Sequence, residues 1–137
     1  MPSQEGPPFE IAVDERAGIV RLVLRGFWTL ADFQAFEAGL SDSVGRARRH
    51  HAVIGLFSDS TAFKIQSSEV GDAFARAMGL GDSVHSGPSA IVVGSMLNKF
   101  QAERALGSSR VRIFTDFDEA ERWVGTELAK ARGGAGC

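Results

Sequence analysis

One cysteine is all the chain carries, and it is the last residue, Cys137. A lone terminal thiol can form neither an internal disulfide nor a cysteine-rich metal site. Tyrosine is absent, and the aromatic content is ten Phe and two Trp, side chains that are almost wholly apolar and suited to a core. Proline is scarce: three of the four fall within residues 1–8. Neither sign of charge dominates, with 15 Lys and Arg against 17 Asp and Glu and a net charge of −2. Such a balance provides no general field for nucleic acid or for acidic membranes, so neither is expected as a partner. No apolar run approaches the roughly 20 residues that span a bilayer. The opening "MPSQEGPPFE" also lacks the basic patch and apolar stretch of a signal peptide, and a cytoplasmic protein is expected.

What is present is an ordinary globular composition, 44% hydrophobic and 23% charged over 137 residues, which fits one compact domain. Residues 1–8, rich in proline, read as a flexible lead-in, and residues 132–137 ("RGGAGC") read as a flexible glycine-rich tail. No linker, repeat or low-complexity tract interrupts residues 9–131.

Within that span "FEIAVDERAGIVRLVLRG" alternates apolar and polar residues on either side of a short turn containing Gly18, the pattern of an antiparallel hairpin. Arg21 and Arg25 share one face of its second strand, which places the hairpin at or near an exposed edge. The spacing then becomes helical through Leu30, Phe33, Phe36, Leu40 and Val44, opened by a capping box of Thr29 and Asp32, with Trp28 and Phe33 placed as a hydrophobic staple. "HAVIGLF", "SAIVVGS" and "RVRIF" read as three further short strands, the first two without alternation and hence buried on both faces. Between and after them Val70, Ala73, Phe74, Ala77 and Met78 line a second helix. A third runs from Ser95 to Gly107, and a last one begins at Asp116 and is lined by Ala120, Trp123, Val124 and Leu128. Strand–helix–strand units place parallel strands side by side through right-handed crossovers. The expected fold is α/β: a five-stranded mixed, mostly parallel sheet with an N-terminal antiparallel hairpin and about four covering helices.

Ligands in open sheets of this kind gather beyond the carboxyl ends of the strands. That rim is read as holding Ser58, Asp59, Ser60 and Thr61 after one strand, Gly94 and Ser95 after the next, and Thr115 and Asp116 after the last. Turn chemistry alone selects such residues, so a polar rim and a binding surface are both open readings. Catalysis finds little support. Asp59 has the position of a phosphoryl-accepting aspartate, but no carboxylates follow the second strand to hold a metal. "VVGSMLN" lacks the Gly-x-Ser-x-Gly of a nucleophile elbow, and "GLGDSVHSG" lacks the Lys of a phosphate loop. The adjacent His50 and His51, read as part of a strand, would point to opposite faces, and no metal or cofactor is expected. The run "RARRHH" follows the first helix, either as a solvated, dipole-compensating end or as a contact for an anionic partner at Arg46, Arg48 and Arg49.

"GFWTLADFQAF" and the ending "VRIFTDFDEAERWV" are similar to the SpoIIAA-like family within the superfamily of STAS domains, the antagonists of anti-sigma factors. In that family a segment of the form F-x-D-x-x-x-A-x-x-W closes the fold, and Phe114, Asp116, Ala120 and Trp123 stand at that spacing. The resemblance implies a protein-interaction module. Members of the wider superfamily bind protein partners, some bind nucleotides or other small molecules, and the SpoIIAA-like branch shares its broad fold with lipid-carrying Sec14-type domains. It also directs attention to Ser67 and Ser68. Partner-switching antagonists open their second helix with Asp-Ser-Ser-Gly and are phosphorylated on the first serine. Here the stretch is Gln66-Ser67-Ser68-Glu69, which departs at two of four positions. Ser67 and Ser68 are therefore candidate switch residues and equally the expected helix cap.

Two functional expectations follow. The first is a non-catalytic regulatory or protein-interaction module acting through the rim and the first two helices, with a homodimer through the hairpin edge as a further expectation. The second is a carrier or sensor of a small amphiphilic, lipid-like ligand, motivated by the abundance of Phe33, Phe36, Phe63, Phe74 and Phe100.

Overall fold

The structure, a computed structural model, describes residues 7–84, 87–96, 98, 99, 102, 103 and 110–136, without the side chains of 78–84 and 134–136. The alternating N-terminal segment forms β1 (Phe9–Asp14) and β2 (Ile19–Gly26), paired antiparallel from Phe9↔Leu24 to Asp14↔Ile19. Their turn closes with the Gly18 amide donating to the Asp14 carbonyl at 2.8 Å and the Ala17 amide to Asp14 Oδ1 at 3.1 Å. Gly18 has φ +71°, and a Cβ there would overlap the Arg132 guanidinium and the His51 ring, so both backbone and space require glycine.

Three further strands add in chain order: β3 (Gly55–Phe63), β4 (Ser89–Val93) and β5 (Val111–Phe114), each parallel to its predecessor from β2 on. The strand order is β1-β2-β3-β4-β5, so β1 is an edge strand, where the arginine-bearing hairpin was expected. When every right-handed crossover steps the same way across a sheet, all crossover helices fall on one face. Here α1 (Leu30–Ala47) and α2 (Ser68–Val84) lie there, together with a helical stretch that includes Met96, Asn98, Lys99, Ala102 and Glu103. The terminal helix α3 (Phe117–Gly136) crosses to no later strand and covers the other face.

The alternation within strands divides the core accordingly. Val20, Leu22 and Leu24 of β2 and Leu56 of β3 meet Phe33, Phe36 and Val44 of α1 and Val70 and Ala73 of α2. On the opposite face Ile19, Phe57, Ala90, Val92 and Phe114 meet Ala120, Val124 and Leu128 of α3. Toward the β1 edge that face of the hairpin becomes polar. Arg21 donates to both oxygens of Glu121 at 2.6 and 3.2 Å and lies 5.2 Å over the Phe57 ring, and Arg25 pairs with Glu10. The Glu121 hydrogen bond, helped by its charge, holds Arg21 above its ordinary pKa against the opposing cost of burial.

The start of α1 follows the sequence closely. Thr29 Oγ1 accepts from the Asp32 amide at 3.1 Å and Asp32 Oδ2 accepts from the Thr29 amide at 2.9 Å. Trp28 ahead of it packs on Phe36 and on Phe9, Phe63 and Phe74, with centroids 5.0–5.7 Å away. The family-like closing segment is structural throughout. Phe114 ends β5, Asp116 Oδ1 accepts from the Asp118 amide at 2.9 Å to open α3, Ala120 is buried one turn on, and the Trp123 ring sits 5.7 Å from that of Phe114.

Several expectations change. Three helices are described in full; the expected helix from Ser95 to Gly107 falls largely on residues outside the described ones, Gly107 included. The α3 helix continues to Gly136, into the glycine-rich stretch read as a tail, and Arg132 donates to the Val53 carbonyl at 2.9 Å. At the other end residues 1–6 lie outside the description, while the Pro8 carbonyl accepts from the Arg25 amide at 2.8 Å. His50 and His51 lie in the connection before β3 rather than on a strand, and both approach Glu15 of the hairpin turn. His51 Nε2–H donates to the Glu15 carbonyl at 2.7 Å, and Arg46 pairs with the Glu15 carboxylate at 3.3 Å. The basic run thus fastens the hairpin turn to the end of α1.

Candidate functional site

The strand expected to end at Phe57 continues to Phe63, because pairing persists on both sides: Ser58↔Leu22 and Ser58↔Ile91, Asp59↔Val23 and Asp59↔Val92, Ser60↔Val93. Ser58, Asp59, Ser60 and Thr61 are therefore not a loop beyond the strand, and the reading of all four as a loop surface is corrected. Ser58 and Ser60 are only 3% and 6% exposed. Alternation places them on the α1/α2 face beside Leu56, while Asp59 faces the α3 side.

A register shift between Val23 and Arg25 inserts one extra residue into β3. With unbroken alternation Ala62 would follow Ser60 on the inner face; the bulge brings Phe63 there instead. Its ring meets Trp28 at 5.0 Å and Phe74 of α2 at 5.6 Å.

Between these groups lies a cavity of about 290 Å³. Its sheet wall is Leu22, Leu24, Leu56, Ile91 and Val93, with the Ser58 and Ser60 hydroxyls set among them. The helical wall is Phe33, Phe36 and Leu40 from α1 and Phe74 and Ala77 from α2. The void has a simple origin. The close backbone approaches of α2 are to α1 rather than to the strands. The residues facing it across the gap, Ser58 and Ser60, are too small to fill the distance. The cavity meets solvent along Glu37, Lys64, Ile65 and Gly71, all exposed, with Gln66 and Asn98 half-buried beside them.

Gln66 organises this opening. Its Oε1 accepts from the Trp28 amide at 2.8 Å and its Nε2 donates to the carbonyls of Gly26 at 2.9 Å and Lys64 at 2.6 Å. The loop after β2 and the loop after β3 are thereby locked together. No local sequence signal marks Gln66 for this role, since two of its three partners lie 38 and 40 residues away.

The remaining candidates are dispersed. Ser67 Oγ accepts from the Val70 amide at 3.3 Å, the geometry of an N-cap, and Ser68 is the exposed first residue of α2. Asp59 Oδ1 accepts from the Thr61 amide and hydroxyl at 3.1 and 2.7 Å. Ser95 accepts the Asn98 amide at 3.1 Å and so caps the helical stretch that follows. Of the five Phe singled out by their abundance, Phe33, Phe36, Phe63 and Phe74 line the cavity and Phe100 lies outside the described residues. Among the described residues no three His, Cys, Asp or Glu converge as metal ligands. No helix among them is long and apolar enough to cross a membrane.

Comparison with solved structures finds the crystal structure of an uncharacterized protein of the DUF3478 family, with a SpoIIAA-like fold, from Shewanella loihica PV-4. It superposes with a TM-score of 0.65 at 16% sequence identity, over 90% of this chain and 99% of that one. The fold of this chain is SpoIIAA-like. No family model and no curated protein matches the sequence.

Proposed function

We propose that the chain is a non-catalytic binding module that holds a small, largely apolar molecule in the cavity between its sheet and the helices α1 and α2. The observation that carries this reading is the cavity itself, about 290 Å³ lined almost entirely by aliphatic and phenylalanine side chains. At roughly 30 Å³ per heavy atom it accommodates on the order of ten non-hydrogen atoms. Burying eight methylenes at about 0.8 kcal/mol each gives roughly 6 kcal/mol before the costs of association. That gross gain alone corresponds to tens of micromolar, and after the costs of association dissociation constants of about 0.1 mM to millimolar are expected. The absence of catalysis rests on chemistry at the same place. A serine nucleophile needs a base within hydrogen-bond reach, and among the described residues the one hydrogen bond made by the Ser58 and Ser60 side chains is to each other.

Native mass spectrometry of the freshly purified chain tests the reading. A co-purifying small-molecule mass that disappears in Ala77→Phe, which pushes a ring into the cavity, is the expected result. An apo mass alone, unshifted by lipid extracts, refutes it.

One observation favours a protein-interaction role alongside ligand binding. Phe27, Ile65 and Met96, which follow β2, β3 and β4, are 71%, 61% and 52% exposed. Parallel strands bring all three to the same end of the sheet, next to the cavity opening at Ile65. Clustered exposed apolar side chains mark contact surfaces. In this reading the rim is where a protein partner senses the filled cavity, and Phe27→Ser with Ile65→Ser abolishes partner capture while the co-purifying ligand is retained. Loss of the ligand together with the partner, or capture unchanged, counts against a separate docking role for the rim.

A further inference from the structure

The proposal concerns the cavity floor and rests on the ligand-binding reading above. Ser58 Oγ and Ser60 Oγ are 2.9 Å apart and hydrogen-bonded to each other. Each hydroxyl has one proton. Whichever serine donates, the other hydroxyl keeps its own proton, and among the described residues neither side chain has a further partner. Both side chains are more than nine-tenths buried, and both line the cavity. A buried O–H without an acceptor is costly, and burial among Leu22, Leu56, Ile91 and Val93 provides none. We infer that the hydroxyl pair is a built subsite for a hydrogen-bond acceptor, and that the ligand is a neutral carbonyl compound of about eight to ten carbons bound with its oxygen on Ser58 and Ser60.

Three features define that class. The free proton demands an acceptor, which excludes an ammonium group and leaves a plain hydrocarbon unable to satisfy it. The acceptor is neutral, because among the described residues the one cationic side chain lining the cavity is Lys64, which is exposed at the opening. A carboxylate on the floor would be desolvated without a counter-ion. The length follows from the volume, on the order of ten heavy atoms at roughly 30 Å³ each. The oxygen enters first and the alkyl chain runs back past Phe63 and Phe74 toward Ile65. A conventional lipid carrier in which the head group remains at the opening would have the opposite polarity.

The test uses two probes of matched shape, octan-2-one and 2-methyl-1-octene, in which a methylene replaces the carbonyl oxygen. Each is titrated into the unaltered chain and into Ser58→Ala/Ser60→Ala. Comparing one probe between two proteins cancels its desolvation from water. The ketone is expected to weaken by about 2- to 10-fold in the double variant, as the loss of one net hydrogen bond requires. The alkene is expected to hold its affinity or bind more tightly. Should the variant fail to fold, the infrared carbonyl stretch of octan-2-one bound to the unaltered chain decides. A shift to lower frequency than in hexane supports the subsite, and a hexane-like frequency overturns it. Equal changes in affinity for both probes overturn the subsite while leaving the cavity reading in place. If neither probe binds the unaltered chain, both fall together.

Discussion

Phe74 is the side chain on which the attachment of α2 depends most, and replacing it with alanine makes that dependence measurable. Its ring lies 5.0 Å from Phe33, 5.4 Å from Trp28, 5.6 Å from Phe63 and 5.9 Å from Phe36, and so joins α2 to α1 and to the end of β3. Val70 and Ala73 are the only fully buried residues on the described side of α2, and neither spans the cavity. Truncating a fully buried Phe costs about 3–5 kcal/mol. Phe74 is half-buried and already borders empty space, so a loss of about 2–3 kcal/mol is expected. Against a total of roughly 5–15 kcal/mol the protein still folds. For a chain of this length each kcal/mol shifts Tm by about 3–4 °C, so a drop of about 6–12 °C follows. Urea denaturation gives the free energy and hydrogen exchange gives its location: α2 amides should lose protection well beyond those of the β1–β2 hairpin. A stability within about 0.5 kcal/mol of the parent, below the usual range for an interior truncation, would refute the reasoning. So would protection lost equally across hairpin and helix.

Four further substitutions probe the same frame. Gln66→Ala removes the partner of the Trp28 amide and a donor to each of the Gly26 and Lys64 carbonyls, the former keeping the Lys64 amide, and should cost about 1–3 kcal/mol in denaturant, with weaker ligand retention; a cost under half of that would show the loops are held elsewhere. Gly87→Ala would drive a Cβ into the Ile54 carbonyl, so about 1–3 kcal/mol of strain or more should appear as a lowered urea midpoint, and an unchanged midpoint would contradict the close approach. Gly71→Ala meets no atom within 4 Å and should raise stability by about 0.4–1 kcal/mol through helix propensity, a gain that a Tm measurement would detect. Ser67→Ala should lose about 0.5–2 kcal/mol while Ser67→Asp preserves the cap; equal stability of Ser67→Ala and the parent would remove Ser67 as the cap of α2.

The parts of the fold that were legible in the sequence are those determined within a few residues. The Thr29–Asp32 box, the Gly18 turn and the Asp116 cap are local hydrogen-bond problems with few solutions, and all three appear as read. The extent of β3 was not legible. "SDST" has the composition of a turn, and only the neighbours β2 and β4, distant in sequence, convert it to a strand by pairing with its backbone. That single error moved Ser58 and Ser60 from a solvated rim to a cavity floor. Of the inner face of α2 read as Val70, Ala73, Phe74, Ala77 and Met78, the first four pack as read and the Met78 side chain lies outside the described ones, yet the emptiness in front of that face depends on what stands opposite, which periodicity along one element does not report. Gln66 escaped for the same reason, because its three backbone partners come from two loops.

The position of the cavity follows from the connectivity. A sheet whose strands are added in one direction stacks its crossover helices on one face, and there α2 approaches α1 rather than the strands beneath it. Large residues beneath it would have closed the gap, as Phe57 and Val92 close the opposite face against Val124 and Leu128 of α3. Instead β3 presents Leu56, Ser58 and Ser60 in succession, and the bulge withholds Ala62 and delivers Phe63 to the outer part of the wall. The two hydroxyls thus sit in the sheet wall of the cavity, with the rings of Phe63 and Phe74 also lining it. A core built only for stability would gain from valine at Ser58 and Ser60, which removes a buried unpartnered proton and fills space. Retaining two serines there makes sense where an acceptor is delivered to them, so Ser58→Val/Ser60→Val should raise the apo stability while lowering occupancy by a carbonyl ligand. Thermal unfolding with and without octan-2-one reads both effects at once. A double variant less stable than the parent in the absence of ligand would mean that the serines serve the fold, and the case for a ligand subsite on the cavity floor would go with it.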